Sequence, residues 1–215
     1  MPVMAKYPIF LELRGRKAVV IGGGAVAARK ARSLLAAEAD VTIVARNIGK
    51  AFDGLTRRSG VRLITGGYSK RHLKGATVAI ASTNDSGLNE RIHRDCRTLG
   101  ILCNVVDEPK LCDFFVPAVV QRGDLQIAIS TGGRSPAYAG HIRKSLGRVF
   151  TSKHGQFVCE LEKVRMQIME QVSRPADRKA IMGQLVEEES FEYFRRNGAD
   201  AWRKRALATM RALRR

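Results

Sequence analysis

The chain has 215 residues, 45% of them apolar, and carries 38 Lys and Arg against 20 Asp and Glu, a formal charge of +18. That length and apolar share support one full α/β domain with a smaller appendage. The charge calls for an anionic partner, either nucleic acid or a small polyanion drawn in by the same field. No window approaches the ~18 uninterrupted apolar residues of a membrane span, and the N-terminus lacks the apolar core and cleavage site of a secretory leader, so a cytoplasmic protein is expected. Cys96, Cys103, Cys112 and Cys159 form no CxxC pair. They read as reduced thiols filling the core rather than as a disulfide framework or a zinc finger.

Short apolar runs alternate with stretches of helical period through the first half, which predicts βαβ units and a parallel sheet. Strands are expected at Lys17–Gly22, Val41–Ala45, Val61–Thr65, Thr77–Ala81 and Ile101–Val106. Strong helices are expected at Ala25–Ala37 and Gly87–Leu99, with weaker ones at Lys50–Arg58 and Lys70–Leu73. In Gly87–Leu99 the residues Leu88, Ile92, Cys96 and Leu99 share one face. The texture changes after Val106. Phe114–Val120 and Leu125–Ser130 read as a hairpin turning at Arg122-Gly123-Asp124, with Pro117 confined to an edge or a bulge. Ser135 and Pro136 then read as the N-cap and first position of a further helix. From about Thr151 the chain is charged and helical in period. Its last 25 residues, Phe191 to Arg215, hold eight Arg and Lys against two acids and read as a solvated face.

Gly22-Gly23-Gly24-Ala25-Val26-Ala27 fits G-x-G-x-x-A directly after a strand and at the opening of a helix, the context a dinucleotide site requires. Gly22 permits the tight turn, Gly24 lets the backbone approach a pyrophosphate, and Ala27 allows the helix to close on the strand. The helix start offers free N–H groups to the phosphates. The ribose-binding acid expected about 20 residues on is missing, because Ala45, Arg46 and Asn47 stand there. Arg46 would favour a 2′-phosphate and Asn47 a plain ribose, so the residues leave NAD and NADP both open.

No Ser–His–Asp order, HExxH or P-loop is present, which argues against hydrolysis and ATP use. His72, His93, His141 and His154 have no partner at i, i+4 and read as surface residues, so no metal site is expected. In "CNVVDEPKLCDFFVPA", Val105 and Val106 end a buried strand, and Asn104, Asp107 and Glu108 sit at its C-terminal end, the edge where open α/β sheets bind their ligands. Asp107 stands where a general base would face a nicotinamide and substrate, although position alone also allows a turn-capping Asp before Pro109. A second polar turn, Ser130, Thr131, Gly132, Gly133, Arg134 and Ser135, offers N–H groups, hydroxyls and an Arg to carboxylates, or else only turns the chain into its helix.

These motifs together resemble the precorrin-2 dehydrogenase/sirohydrochlorin ferrochelatase family, the N-terminal module of siroheme synthase that also occurs alone. The resemblance runs over about residues 7 to 147, through "YPIFLELRGRKAVVIGGGAVAARKARSLL", "ASTND" with the following "LN", and "CNVVDEPKLCDFFVPAVVQRGDLQIAISTGGRSPAYAGHIRKSL". It implies NAD-dependent oxidation of precorrin-2 to sirohydrochlorin, with NAD as cofactor and a tetrapyrrole carrying acetate and propionate groups as substrate, which suits the basic charge. Chelation of ferrous or cobaltous ion as a further substrate is left undecided. The family pattern puts Gly22, Gly24, Ala25 and Val26 on the pyrophosphate, Arg46 and Asn47 on the adenosine side, and Thr83 near the nicotinamide. Asp107 matches the proposed general base, and Asn104, Ser130, Thr131, Gly132, Gly133 and Ser135 become the substrate-binding set. Thr131 also stands where some relatives carry a phosphorylatable serine.

The fold implied is a Rossmann-like doubly wound parallel sheet, a strand-hairpin dimerisation segment and a C-terminal helical domain, at 1–113, 114–150 and 151–215, in a homodimer. The chain ends before the methyltransferase that siroheme synthase carries, so methylation is not expected. A regulatory Rossmann module that senses NAD without chemistry is the rival reading. A nucleic-acid surface on the basic end is disfavoured, since that end shows no recognised binding motif.

Overall fold

The computed structural model describes residues 6–213, and they divide into two compact units, one reaching Val116 and the other starting at Pro117. The first holds strands β1 (Lys17–Ile21), β2 (Asp40–Ala45), β3 (Val61–Thr65), β4 (Val78–Ala81) and β5 (Leu102–Val105), with helices α1 (Ala25–Ala36) and α2 (Ser86–Leu99). All five strands are parallel, in the order β3-β2-β1-β4-β5. Chain direction across the sheet therefore reverses between β1 and β4, the switch point at which such sheets open a crevice.

The central strands are buried on both faces, as a parallel sheet covered on both sides demands. Ala18, Val20, Val41 and Ile43 meet Ala27, Ala28, Ala31 and Leu34 of α1 on one face. Val19, Ile21, Val44, Ala79 and Ala81 meet Ile92 and Cys96 of α2 on the other. The alanines of α1 let the helix approach the sheet closely. Helix α2 starts where the Asp85 carboxylate accepts the Leu88 N–H at 2.9 Å and stops at Gly100, whose φ of 67° needs no Cβ.

Several sequence expectations are corrected. The weak helix expected at Lys50–Arg58 shrinks to a 3-10 turn at Lys50–Phe52, and the one at Lys70–Leu73 keeps its bounds but is a 3-10 turn. Leu99 is 44% exposed. The buried stripe of α2 is Asn89, Ile92 and Cys96, whose spacing of three and four leaves Leu99 beyond the sheet. His72 is buried rather than on the surface. Its Nδ1 accepts the Ser69 N–H at 3.2 Å, closing the short turn back on its own start. Burial first, then the charges of Arg71, Lys17 and Arg62, lower its pKa and keep the ring neutral.

The second unit begins with the antiparallel pair β6 (Ala118–Arg122) and β7 (Leu125–Ile129). The first strand starts at Ala118, not Phe114, since Pro117 has no N–H to give a ladder. Gly123, at φ 59°, opens the two-residue turn. Helices α3 (Pro136–Val149), α4 (Ser152–Gln171), α5 (Pro175–Leu185) and α6 (Glu188–Leu213) follow, the last broken at Gly198. Arg122 donates to the carbonyls of Gly147 and Phe150, both at 2.8 Å, and so closes the C-terminal end of α3. Gly155 lies so near the hairpin that a Cβ would come within 2.1 Å of the Arg122 carbonyl oxygen.

The basic C-terminal stretch is amphipathic rather than wholly solvated: Phe194, Trp202, Ala206 and Met210 sink into a core with Phe157, Val164, Ile168 and Ile181. Buried Glu160 of α4 ties that core to α6 through Arg203 at 2.6 Å and also meets Lys163 at 2.7 Å. Burial pushes its carboxyl up, but the hydrogen bonds from Lys163 and Arg203 outweigh it and hold the pKa below the ordinary value. Among the described residues no helix is long and apolar enough to cross a membrane.

Candidate functional site

The glycine loop joins β1 to α1 at the switch point, and its three glycines are required for different reasons. Gly22 has φ 136°, and a Cβ there would lie 2.2 Å from the Ser82 carbonyl oxygen beyond β4. At Gly23 a Cβ would lie 1.8 Å from the Asn47 carbonyl oxygen beyond β2. These two let three strand ends converge. Gly24 instead has nothing within 4 Å of its missing Cβ. It is the exposed N-cap of α1, without a side-chain cap and without an acid in the first turn that would repel an anion. The space beside Gly24 and the unshared N–H groups of Ala25 and Val26 make a cradle that fits a pyrophosphate.

Arg46 and Asn47 leave the carboxyl end of β2, both exposed, beside that loop. Thr83 lies just beyond β4. Its hydroxyl and backbone are held by buried Asn89, with 2.7 Å between Thr83 Oγ1 and Asn89 Oδ1 and 3.0 Å from Asn89 Nδ2 to the Thr83 carbonyl. Asn89, unremarked as a single residue in the sequence, therefore fixes the loop that follows β4.

Past β5 the backbone turns at Asp107, an exposed residue with φ 62°, a conformation that Asp tolerates better than most residues. The turn is held from both sides. Val106 donates to the Ala81 carbonyl at 2.9 Å, and the returning segment satisfies the open edge of β5. There the Asp113 carboxylate accepts the Cys103 N–H at 2.8 Å, and Asp113 N donates back to Cys103 O at 2.8 Å. The Cys112 thiol accepts the Val105 N–H at 3.3 Å and donates to the Val105 carbonyl at 3.1 Å. Cys112 is thus a substitute for a ladder partner, and burial pushes its thiol pKa up, away from the reactive thiolate. Asn104 sits buried near the carboxyl end of β5, and its Nδ2 donates to the Phe114 carbonyl at 2.9 Å.

Gly22, Gly24, Ala25, Val26, Arg46, Asn47, Thr83 and Asp107 therefore share the carboxyl edge of one sheet. A cavity of about 420 Å³ bordered by Lys17, Asp40, Thr42 and Arg62 lies at the amino ends of β1–β3, remote from that edge. In the second unit Ser130, Thr131, Gly132, Gly133 and Ser135 form the turn from β7 into α3. Ser130 Oγ accepts Gly132 N and Thr131 Oγ1 accepts Ser135 N, both at 3.1 Å, while Ser135 Oγ caps the Tyr138 N–H at 3.2 Å. Gly132 and Gly133 have φ 64° and 81°. The Gly132 N–H is already taken by Ser130, so the Gly133 N–H and the exposed Arg134 side chain are the donors left that suit a carboxylate.

The NAD(P)-binding family model NAD_binding_7 matches residues 9–118, and the sirohaem biosynthesis protein central model matches residues 122–148. The siroheme synthase of Nitrosomonas eutropha is 32% identical over 185 residues, which are 86% of this chain and 39% of that protein. That of Psychrobacter sp. PRwf-1 is 39% identical over 153 residues, 71% of this chain and 31% of that protein. The chain thus spans well under half the length of these relatives. Among solved structures, SirC, precorrin-2 dehydrogenase, superposes with a TM-score of 0.76 at 21% identity, covering 96% of this chain and all of that one, a likeness of fold.

Proposed function

From the premise that this chain belongs to the NAD(P)-binding family, we propose that it oxidises precorrin-2 to sirohydrochlorin with NAD. The observation that carries the reading is Asp107: a carboxylate held in a left-handed turn at the sheet edge that also carries the pyrophosphate cradle. Siroheme synthase relatives and the sirohaem central match support the choice of substrate.

Bound NAD supplies the hydride acceptor. Gly24, Ala25 and Val26 hold its pyrophosphate through backbone N–H groups, and Arg46 and Asn47 meet the adenosine half. As hydride leaves a reduced carbon of precorrin-2, the Asp107 carboxylate takes the accompanying proton, so that two electrons and two protons leave the macrocycle. Ser130, Thr131, Gly132, Gly133 and Ser135 bind acetate or propionate groups of the substrate, and Asn104 supports the segment after Asp107 from within β5. In this reading residues 114–150 pair two subunits of a cytoplasmic homodimer.

The test is anaerobic turnover of enzymatically generated precorrin-2, followed by its visible spectrum. Conversion to sirohydrochlorin only when NAD is present is the expected result. A further change on adding ferrous or cobaltous ion, above the protein-free rate, would extend the activity to chelation with that ion as substrate. Nucleotide binding without any spectral change would overturn the dehydrogenase and favour an NAD-sensing module.

A further inference from the structure

Lys30 lies in the second turn of α1, one turn beyond Val26 and on the same stripe, and it is half-buried where its neighbours on the solvent side are exposed. The adjacent stripe of α1, Ala27, Ala31 and Leu34, packs in the core against which Val106 and Phe114 rest, so the segment carrying Asp107 and Cys112 runs beside this flank of the helix. The Asp107 carboxylate acts on the Lys30 ammonium through space. Yet among the described residues no carboxylate lies within 4.0 Å of it in an ion pair. A half-buried cation without a close counter-charge is costly to keep unless something brings one.

Resting on the tetrapyrrole reading above, we propose that Lys30 is a carboxylate-binding residue of the substrate site, receiving one acetate or propionate of the macrocycle beside Asp107. Three features support this. A second-turn residue lies past the unshared N–H groups that serve the pyrophosphate, so this cation is not needed for the nucleotide. Burial, foremost, and then Arg29 lower the Lys30 pKa, while Asp107 works against that shift; an arriving carboxylate would complete the compensation. A cation at this spot also fixes which edge of the macrocycle approaches Asp107, which makes Lys30 a determinant of which ring carbon loses hydride.

The test compares wild type, Lys30→Met and Lys30→Arg in three measurements: NAD affinity, KM and kcat for precorrin-2, and the affinity for sirohydrochlorin from its absorbance on titration. Methionine keeps the apolar stem and removes the charge. Loss of one charged hydrogen bond raises KM and the sirohydrochlorin Kd about tenfold to a hundredfold in Lys30→Met. NAD affinity stays at its wild-type value, and Lys30→Arg recovers most of the substrate affinity. A wild-type KM and sirohydrochlorin Kd in Lys30→Met would overturn the assignment and leave the dehydrogenase standing. Weakened NAD binding in Lys30→Met would overturn it by assigning the cation to the nucleotide. A wild-type protein that neither binds sirohydrochlorin nor oxidises precorrin-2 would overturn both readings together.

Discussion

The two glycine turns of this protein look alike in sequence and are built on opposite principles. At Gly22 and Gly23 glycine is required by crowding: a Cβ would strike the carbonyl oxygens of Ser82 and Asn47 at 2.2 and 1.8 Å. At Gly132 there is nothing within 4 Å, and glycine is required by a φ of 64°. One loop exists because three strand ends must converge, and the fold depends on it. The other is a surface conformation that aims donors outward, and the fold loses little without it. Gly24 shows neither constraint, since its φ is −86° and its missing Cβ faces open space.

The comparison can be broken or sharpened by substitution. The largest effect is expected outside both turns, at the residue they are proposed to serve: Asp107→Asn lowers kcat for precorrin-2 oxidation by about 10²–10⁴-fold. Asparagine tolerates the same left-handed backbone, so thermal unfolding stays close to wild type, and a parallel melt separates lost chemistry from lost fold. Next comes Gly23→Ala, which forces backbone apart and costs about 3 kcal/mol, read as a fall in Tm of roughly 6–12 °C. Gly132→Ala strains only one dihedral and costs about 1–2 kcal/mol. If the two alanine variants melted alike, the distinction between crowding and conformation would fail.

The smallest effect is one of pH. His72 has a lowered folded pKa, so the folded state binds fewer protons than the unfolded chain and stability falls as pH drops through the ordinary value of 6.5 toward the folded one. Urea midpoints at pH 7.5 and 5.5 should show this decline, and His72→Gln should reduce it. A decline of undiminished size in that variant would assign the effect to other groups.

How much of this was legible in sequence differs between the same regions. The sheet, its order of elements and the first glycine turn follow from continuous apolar runs and a motif whose spacing encodes a turn, and all five strands fall within a residue or so of their expected places. Local pattern says nothing about which group completes an edge strand. Cys112 and Asp113 were therefore legible only as a thiol and an acid, while the fold uses them as ladder partners for Val105 and Cys103. His72 reads as a surface residue because its turn is too short to show a buried stripe. The hairpin strand starts later than its apolar run suggests because one missing N–H at Pro117 outweighs three apolar side chains. Of the candidate site, the residues set by backbone geometry could be read in advance, and those set by tertiary hydrogen bonds, Asn89 and Cys112, could not.

The most direct test of the account is anaerobic precorrin-2 oxidation by wild type and Gly24→Asp. Aspartate is a favourable N-cap and its Cβ meets no atom at this position, so the variant folds like wild type, but its carboxylate caps the N–H groups of the cradle and repels the pyrophosphate. The account predicts NAD-dependent appearance of sirohydrochlorin with wild type, and a folded variant that neither binds NAD nor turns over. Equal turnover by both proteins would contradict it.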